Sequence, residues 1–174
     1  MTAAKRVKFR SVLTVAAPES GWHYIPVAWK IGEKFPKNGG TRRVLCTING
    51  VETFPCALMP YEGEFTIVVN KERRKKLGIG AGDKITVEIA PDESEHGMPM
   101  PDELQEVLNQ DPEGQTAFQT MTPGKRRSMM YFIGKIKDID RRIHTALIFI
   151  EHIKKNNGKI IYEQLTAELK RPEF

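Results

Sequence analysis

The spacing of hydrophobic positions changes along the chain. In the first half, apolar and polar residues alternate in short runs, and turn residues such as Gly, Pro, Asn and Asp separate these runs. This pattern predicts strands with one buried face. Beyond residue 100, apolar residues recur every three or four positions, which predicts amphipathic helices. The pattern therefore predicts an α+β protein, with a small β-barrel domain over residues 5–90, a Pro-rich acidic linker over 91–100 and a C-terminal all-helical region over 101–174.

The first half contains one strong hairpin signal, Asn49-Gly50. A two-residue turn at this place puts Cys46 opposite Thr53 and sends Cys46 and Cys56 to opposite faces of the hairpin. We therefore expect two free thiols, as in a reducing compartment. The strands predicted around this hairpin cover residues 7–17, 22–27, 42–48, 51–58, 65–69 and 84–89.

The longest helical pattern follows Asp138, a candidate N-cap. Its apolar residues repeat at intervals of four, four and three, and this stripe predicts the buried face of the most buried helix. The stripe consists of Ile139, Ile143, Leu147 and Ile150, and the adjacent Ile148 and Phe149 widen it. Other helices are predicted from Pro101, over 113–120, from Thr122-Pro123 and over 162–170.

The net charge of +5 combines three segments of opposite sign. Residues 1–90 carry +7, residues 91–120 carry −8 without a single Lys or Arg, and residues 121–174 carry +6. An acidic segment between two basic ones can neutralise them internally, so the basic pI alone does not indicate a nucleic-acid partner.

The basic run Lys71–Lys76 has a structural explanation. Asn70 stands at an N-cap position, and Gly78 stands at the C-cap position. Glu72 lies in the first turn and the cations Arg74, Lys75 and Lys76 in the last, where each charge interacts favourably with the helix dipole. This pattern predicts a short helix with solvated charges. The following GIGAGD leads into a strand, whereas phosphate-binding loops lead into a helix.

A second basic cluster, Lys125-Arg126-Arg127, has an unfavourable position. These cations follow Thr122-Pro123 in the first turn of a helix, where the dipole disfavours each of them by about 0.3–1 kcal/mol. The acidic segment 102–113 could offset them, as could a phosphate or an acidic partner, and the internal explanation is the simplest. The candidate anion- or partner-binding residues are Lys125, Arg126, Arg127, Arg42 and Arg43.

The aromatic residues of the stretch GWHYIPVAW could line a ligand pocket. The alternative is that they fill the core of the barrel. The residues concerned are Trp22, His23, Tyr24 and Trp29.

Catalytic and metal-binding patterns do not emerge. The four histidines lack ligand spacing, and His144 and His152 are expected on a half-exposed helix face. No serine lies in a nucleophile elbow. We therefore predict no catalytic residues, no metal and no cofactor. No apolar run approaches the roughly 18–20 residues of a membrane helix, and the N-terminus does not match a signal peptide, so a cytoplasmic location is expected.

Two resemblances extend this interpretation. The run VVNKERRKKLGIGAGDKITVEI resembles the core motif of AbrB/MazE-type double-split β-barrels, although Asn70 replaces the usual proline. The residues that match the motif are Lys71, Glu72, Arg74, Leu77, Gly78, Gly82 and Asp83.

A longer resemblance covers nearly the whole chain. Residues 7–89, with GWHYIPV and RVLCTINGVETF, resemble an uncharacterised barrel family that is often joined to a YdeI/OmpD-associated helical region. Residues 100–155, beginning MPDELQEVLNQDPEG, resemble that second region. The resemblance implies a barrel followed by helices and a link with bacteriocin or cationic-peptide protection, and it does not imply an enzyme.

The leading hypothesis is a non-enzymatic, soluble binding protein, monomeric or homodimeric, with an unknown protein or peptide partner. The first alternative is an AbrB-like nucleic-acid-binding regulator, motivated by the basic clusters. The second alternative is a small-ligand-binding or enzymatic barrel that uses the aromatic residues.

Overall fold

A computed structural model describes residues 6–37 and 40–172, so Lys5, the first residue of the predicted barrel, lies outside the described part. The chain divides into two compact units that meet between Glu93 and Ser94. The first unit is a barrel-like sheet and the second is helical, which confirms the α+β prediction.

The strands of the first unit form one antiparallel sheet in the order β1-β7-β4-β5-β6-β3-β2. Two short helices, α1 (Trp29–Gly32) and α2 (Lys71–Leu77), lie between strands in the chain. The strands are β1 (Val7–Val12), β2 (Thr14–Val15), β3 (His23–Val27), β4 (Arg42–Ile48), β5 (Glu52–Tyr61), β6 (Glu64–Val68) and β7 (Lys84–Pro91).

One chain segment nearly closes the sheet into a barrel. The predicted run 7–17 breaks at Leu13, so its two halves, β1 and β2, form the opposite edges of the sheet. Leu13 is fully buried, and its backbone bonds to the turn at Gly82 and Asp83. The Ser11 hydroxyl also donates to the carbonyl oxygen of Pro26 at 3.0 Å, which joins β1 to β3. A barrel closed in this way leaves little unpaired sheet edge.

The hairpin at Asn49-Gly50 is present, but its register differs from the prediction. Its loop has three residues, because Ile48 pairs with Glu52, and Asn49 and Gly50 both have positive φ. A three-residue loop shifts every pairing by one position, so the predicted register was wrong.

The new register brings the two cysteines to one face. Cys46 lies opposite Phe54, and Cys56 lies opposite Val44, two residues before Cys46 on the same face. Both thiols are free. A hydrogen bond with Cys46, together with burial, raises the pKa of the Cys56 thiol well above its usual range. A protonated thiol is a poor nucleophile, so the raised pKa lowers the reactivity of Cys56.

Helix α2 forms as the sequence predicted. The Asn70 side chain accepts the backbone N–H of Arg73 at 2.8 Å, and Gly78 ends the helix with a φ of 64°. The Arg73 guanidinium lies 3.7 Å from the ring centroid of Phe54 and 3.3 Å from Glu52. Part of this basic run therefore stabilises the barrel unit instead of facing solvent alone.

The second unit packs five helices around its own core. None of the helices within residues 6–37 and 40–172 has the length and hydrophobicity of a membrane span. The five helices are α3 (Asp102–Gln110), α4 (Pro112–Thr120), α5 (Pro123–Gly134), α6 (Ile139–Lys155) and α7 (Tyr162–Glu168).

The long helix α6 buries only part of the predicted stripe: Ile148, Phe149 and Ile150 lie in the core, as predicted. Ile139, Ile143 and Leu147 are 60%, 38% and 39% exposed, so the prediction that they line the core was wrong. The side of α6 that faces the core is rotated from the predicted stripe towards Ala146, Phe149 and Ile153. Its buried apolar residues are Ala146, Ile148, Phe149, Ile150 and Ile153.

The histidines of α6 are buried, contrary to the half-exposed position predicted for them. His152 Nε2 accepts the backbone N–H of Ile161 at 2.9 Å, so its ring proton lies on Nδ1, which donates to Glu168 at 2.9 Å. His144 Nε2 donates to the carbonyl oxygen of Arg171 at 3.1 Å. Both imidazoles therefore attach the C-terminal segment around α7 to α6.

We expect His152→Ala to lower the free energy of unfolding by about 2–4 kcal/mol, because it removes a buried ring and leaves Glu168 Oε2 and the Ile161 N–H without their hydrogen-bond partner. Lys159→Ala, an exposed change in the same segment, should shift it by less than about 0.5 kcal/mol. Urea denaturation followed by circular dichroism measures both values. Equal stability of the two variants would contradict this role of His152.

Candidate functional site

A groove of about 850 Å³ lies between α3 and α6. Glu103 pairs with Arg142 near one end and Asp111 pairs with Lys154 near the other, so the two helices run in the same direction. From Ile143 to Lys154 the groove follows about 16 Å of α6, or three helical turns. This length suits a short helical segment of a partner.

The floor of the groove is apolar. It contains the exposed residues Ile143 and Leu147 of α6, the buried Ile150 and the half-buried Val107 of α3. Apolar side chains at this spacing normally face a core, and here they face a groove. The stripe that the sequence singled out is therefore the main apolar surface of the site.

The walls of the groove are acidic. Five carboxylates and one lysine line it, and Arg142 and Arg171 pair with two of these carboxylates, Glu103 and Glu151, so the set with its two arginines has a net charge of −2. A concave surface of one charge sign attracts ligands of the opposite sign. The charged lining residues are Asp102, Glu103, Glu106, Asp111, Glu151 and Lys154.

Asp111 organises one end of the groove. Its side chain caps α4 by accepting the backbone N–H of Gly114 at 2.9 Å, and its other oxygen lies 2.9 Å from the Lys154 ammonium. The bond from Gly114, followed by the contact with Lys154, lowers the pKa of the Asp111 carboxyl. The same pair raises the pKa of Lys154, which therefore stays charged here.

Glu103 and Arg142 organise the other end. Arg142 donates twice to the carbonyl oxygen of Ile136, at 2.8 and 2.7 Å, and once to Glu103 Oε1 at 2.7 Å. The guanidinium is thereby held by the backbone, and it holds the Glu103 carboxylate in place. Glu103 Oε2 is buried and has no hydrogen-bond partner among the described residues.

A second cavity, of about 480 Å³, begins where the groove ends. Asp102 and Glu103 line both cavities, so the two are adjacent at these residues. Methionine side chains adapt their shape to different ligands, and three of them line this second cavity. Its lining residues include Met98, Met100, Met130, Tyr131 and Lys135.

The predicted cluster Lys125-Arg126-Arg127 lies elsewhere on the helical unit, on α5. The Lys125 ammonium lies 2.7 Å from the Tyr162 hydroxyl, and Arg126 donates to the side-chain oxygen of Gln119 at 3.2 Å. Arg127 also has a partner. Neutral groups thus contact two of these cations, while acidic residues of the segment 102–113 contact Arg142 and Lys154 instead.

Arg42 and Arg43 belong to the barrel unit. Arg42 donates to the carbonyl oxygen of Phe35 and lies 5.6 Å from the ring centroid of Phe65. Arg43 is half-buried and has a partner of its own. Arg42 therefore contributes to the packing of the barrel, and an anion would have to compete with its contacts.

The four predicted aromatic-pocket residues do not all come together. Trp22 and Tyr24 form a three-ring cluster with Tyr61, a residue that the sequence did not indicate, at centroid distances of 5.1–5.6 Å. Trp29 instead stacks on Phe65 at 4.4 Å. The His23 ring bonds to the carbonyl oxygen of Gly21. Rings at these distances contact one another and leave no space for a ligand between them.

Within residues 6–37 and 40–172, no group of three or more His, Cys, Asp or Glu side chains is arranged to hold a metal ion. The carboxylates of the groove stand along its walls, where they can bind cationic side chains.

Two family models match the chain. Residues 9–89 match a domain of unknown function, DUF1905, and residues 98–156 match the family described as bacteriocin-protection, YdeI or OmpD-associated. The second model includes both helices that form the groove. No curated protein matches the chain.

The lowered pKa of Asp111 predicts a loss of stability in acid. Its contribution is complete above the unfolded-state pKa, near 3.8, and is lost as the pH falls through the lower folded-state pKa. Asn is as good an N-cap as Asp, so Asp111→Asn should remove this pH dependence and keep the cap, whereas Asp111→Ala should also lose about 1 kcal/mol of capping. Urea denaturation at pH 7 and pH 2.5 tests this. The prediction fails if wild type and Asp111→Asn lose equal stability in acid.

Proposed function

We propose a peptide-binding function for this chain, which belongs to the family of proteins that join a DUF1905 domain to a YdeI/OmpD-associated domain. The helical unit binds an amphipathic, cationic segment of a partner in the groove between α3 and α6. Binding, and no chemical reaction, is the proposed activity. The two free thiols suit the cytoplasm as its compartment.

The observation that carries this proposal is the exposure of Ile143 and Leu147 on a helix that has another, fully packed face. Such residues cost free energy in water, and a partner that covers them recovers roughly 25 cal/mol for each Å² of apolar surface. A helix laid into an apolar groove is a recurrent mode of peptide recognition, with contacts at i, i+4 and i+7. Those contacts belong to the bound helix, and the floor residues Ile143, Leu147 and Ile150 of α6 offer it an apolar surface about two helical turns long.

The charge of the walls indicates the chemistry of the partner. Carboxylates on both sides of an apolar floor match a helix with one apolar stripe flanked by Lys or Arg. Cationic amphipathic peptides have this pattern, and their capture would give a physical basis to a role in protection against bacteriocins or cationic peptides. The proposal thereby joins the geometry of the groove to the description of the matched family.

Fluorescence anisotropy with a labelled 14-residue peptide of Leu and Lys, its leucines at helical spacing, tests this function. We expect micromolar binding that weakens with added salt, because opposite charges are screened. A peptide with Glu in place of Lys should not bind. Leu147→Ser should weaken binding by roughly 1 kcal/mol, or about fivefold in Kd, since it removes part of the apolar floor.

Ile139→Ser is the matched control, because Ile139 is an exposed apolar residue of the same helix that does not line the groove. It should leave the Kd within about twofold. The proposed function is wrong if the Lys peptide does not bind, or if both serine variants weaken binding equally.

A further inference from the structure

We infer that a cavity beside Arg141 binds a small organic anion, a monocarboxylate with an apolar body. The cavity has a volume of about 510 Å³ and lies within the helical unit, where the end of α5, the start of α6 and the segment after α7 meet. None of the described residues lines both this cavity and the groove. Arg141 and Ile143 of the groove lie about 200° apart round α6, so the two sites are on nearly opposite sides of this helix.

One side of the cavity is apolar. Phe132 is 49% exposed, and its ring lies 5.5 Å from that of Phe149, a residue of the core. The core therefore supports this ring from behind, while its outer face is available to a ligand. Small-molecule sites combine such a surface with a few polar groups, in clefts of about 300–1,000 Å³. The apolar lining residues are Phe132, Ile136, Leu169 and Pro172.

The other side of the cavity carries cations. Within the described part of the chain no carboxylate lines this cavity, whereas five carboxylates line the groove. The two sites therefore favour ligands of opposite charge, and the ligand of this cavity is an anion. The polar lining residues are Arg141, His144, Thr145 and Arg171.

The Arg141 guanidinium is the group that receives the charge of the ligand. The Arg141 backbone is engaged, since its N–H donates to the Asp138 carboxylate at 2.8 Å and its carbonyl oxygen accepts from the Thr145 hydroxyl at 2.7 Å. The exposed guanidinium itself makes no hydrogen bond or ion pair with any of residues 6–37 and 40–172. A guanidinium binds a carboxylate through two parallel hydrogen bonds, which fixes the orientation of the ligand as well as its charge.

The remaining polar groups build the wall of the cavity. The Arg171 guanidinium lies 3.1 Å from Glu151 and 3.9 Å from Glu168, and these acids neutralise it. His144 is only 8% exposed and donates to the carbonyl oxygen of Arg171 at 3.1 Å. These contacts hold the segment after α7 against α6. Arg141 is thus the lining cation whose charge is left for a ligand, and one such cation matches the single charge of a monocarboxylate.

The adjacent Arg142 shows the contrast between a structural arginine and Arg141. The Arg142 guanidinium donates to Glu103 at 2.7 Å and twice to the carbonyl oxygen of Ile136, at 2.8 and 2.7 Å. Both arginines lie in the first turns of α6, where the helix dipole disfavours a cation. Glu103 offsets this effect for Arg142, and a bound carboxylate offsets it for Arg141.

An NMR titration of the isotope-labelled full chain with 3-phenylpropionate tests this site. The ring of this probe suits the apolar side of the cavity, and its carboxylate suits Arg141. We expect saturable shifts of the Arg141, His144 and Leu169 resonances, with a Kd of about 1 mM, as for a fragment of this size. 3-Phenylpropanamide has the same shape without the charge, and acetate has the charge without the ring, so each should bind at least about fivefold more weakly.

Four variants separate the charge from the apolar surface. Arg141→Gln should raise the Kd of 3-phenylpropionate at least about fivefold, and its control Lys137→Gln, an exposed cation outside the cavity, should change it less than about twofold. Phe132→Ser should raise the Kd at least about threefold, and its control Tyr131→Ser, an exposed aromatic of the same helix outside the cavity, less than about twofold. Circular dichroism and Tm establish that the four variants are folded.

The inference is overturned if 3-phenylpropionate causes no saturable shift up to about 10 mM, if its amide or acetate binds equally well, or if Arg141→Gln and Lys137→Gln have equal effects. These outcomes do not depend on peptide binding in the groove. Arg141→Gln should leave the Kd of the Leu/Lys peptide within about twofold, because Arg141 does not line the groove. A change of more than about fivefold would show one shared site and would also overturn the inference.

Discussion

The contact of Arg142 with Glu103 and with the Ile136 carbonyl oxygen is the interaction on which the groove depends. It joins the start of α3 to the start of α6, while the Lys154–Asp111 pair joins their far ends. Between these ion pairs, Leu104 and Leu108 of α3 belong to the same hydrophobic core as Ala146 and Ile150 of α6, and this core holds the helices side by side. Both ion pairs place carboxylates along the walls of the groove.

Helix α6 serves two surfaces at once, which explains why so many of its residues are apolar. One face packs into the core of the helical unit through Phe149, Ile150 and Ile153, and the adjacent stripe of Ile143 and Leu147 forms the groove floor. The buried His152 adds a polar attachment to α7. Because one face of α6 is fixed in the core, the helix cannot rotate to bury Ile143 and Leu147 as well, and they remain in the groove.

The barrel unit uses its cations differently. Arg73 contacts Phe54 and Glu52, Arg74 donates to the Val69 carbonyl oxygen at 2.7 Å, and Arg42 contacts Phe35. Phe54, Val69 and Phe35 all belong to the hydrophobic core of the barrel unit. Their contacts stabilise the unit, and this offsets the repulsion expected from so many like charges close together.

Local patterns in the sequence determined the elements. The periods of two and 3.6, the caps at Asn70 and Asp138 and the turn at Asn49-Gly50 act between near neighbours, so the α+β class, α2 and most helix positions follow from them. Tertiary structure decided the rest. One extra loop residue put the two cysteines on the same face of the hairpin, where the sequence predicted opposite faces. Packing selected which side of α6 is buried, because several apolar stripes on one helix compete for a single core. The contact of Glu103 with Arg142, 39 residues away, also depends on how α6 packs, and no local pattern in the sequence indicates it.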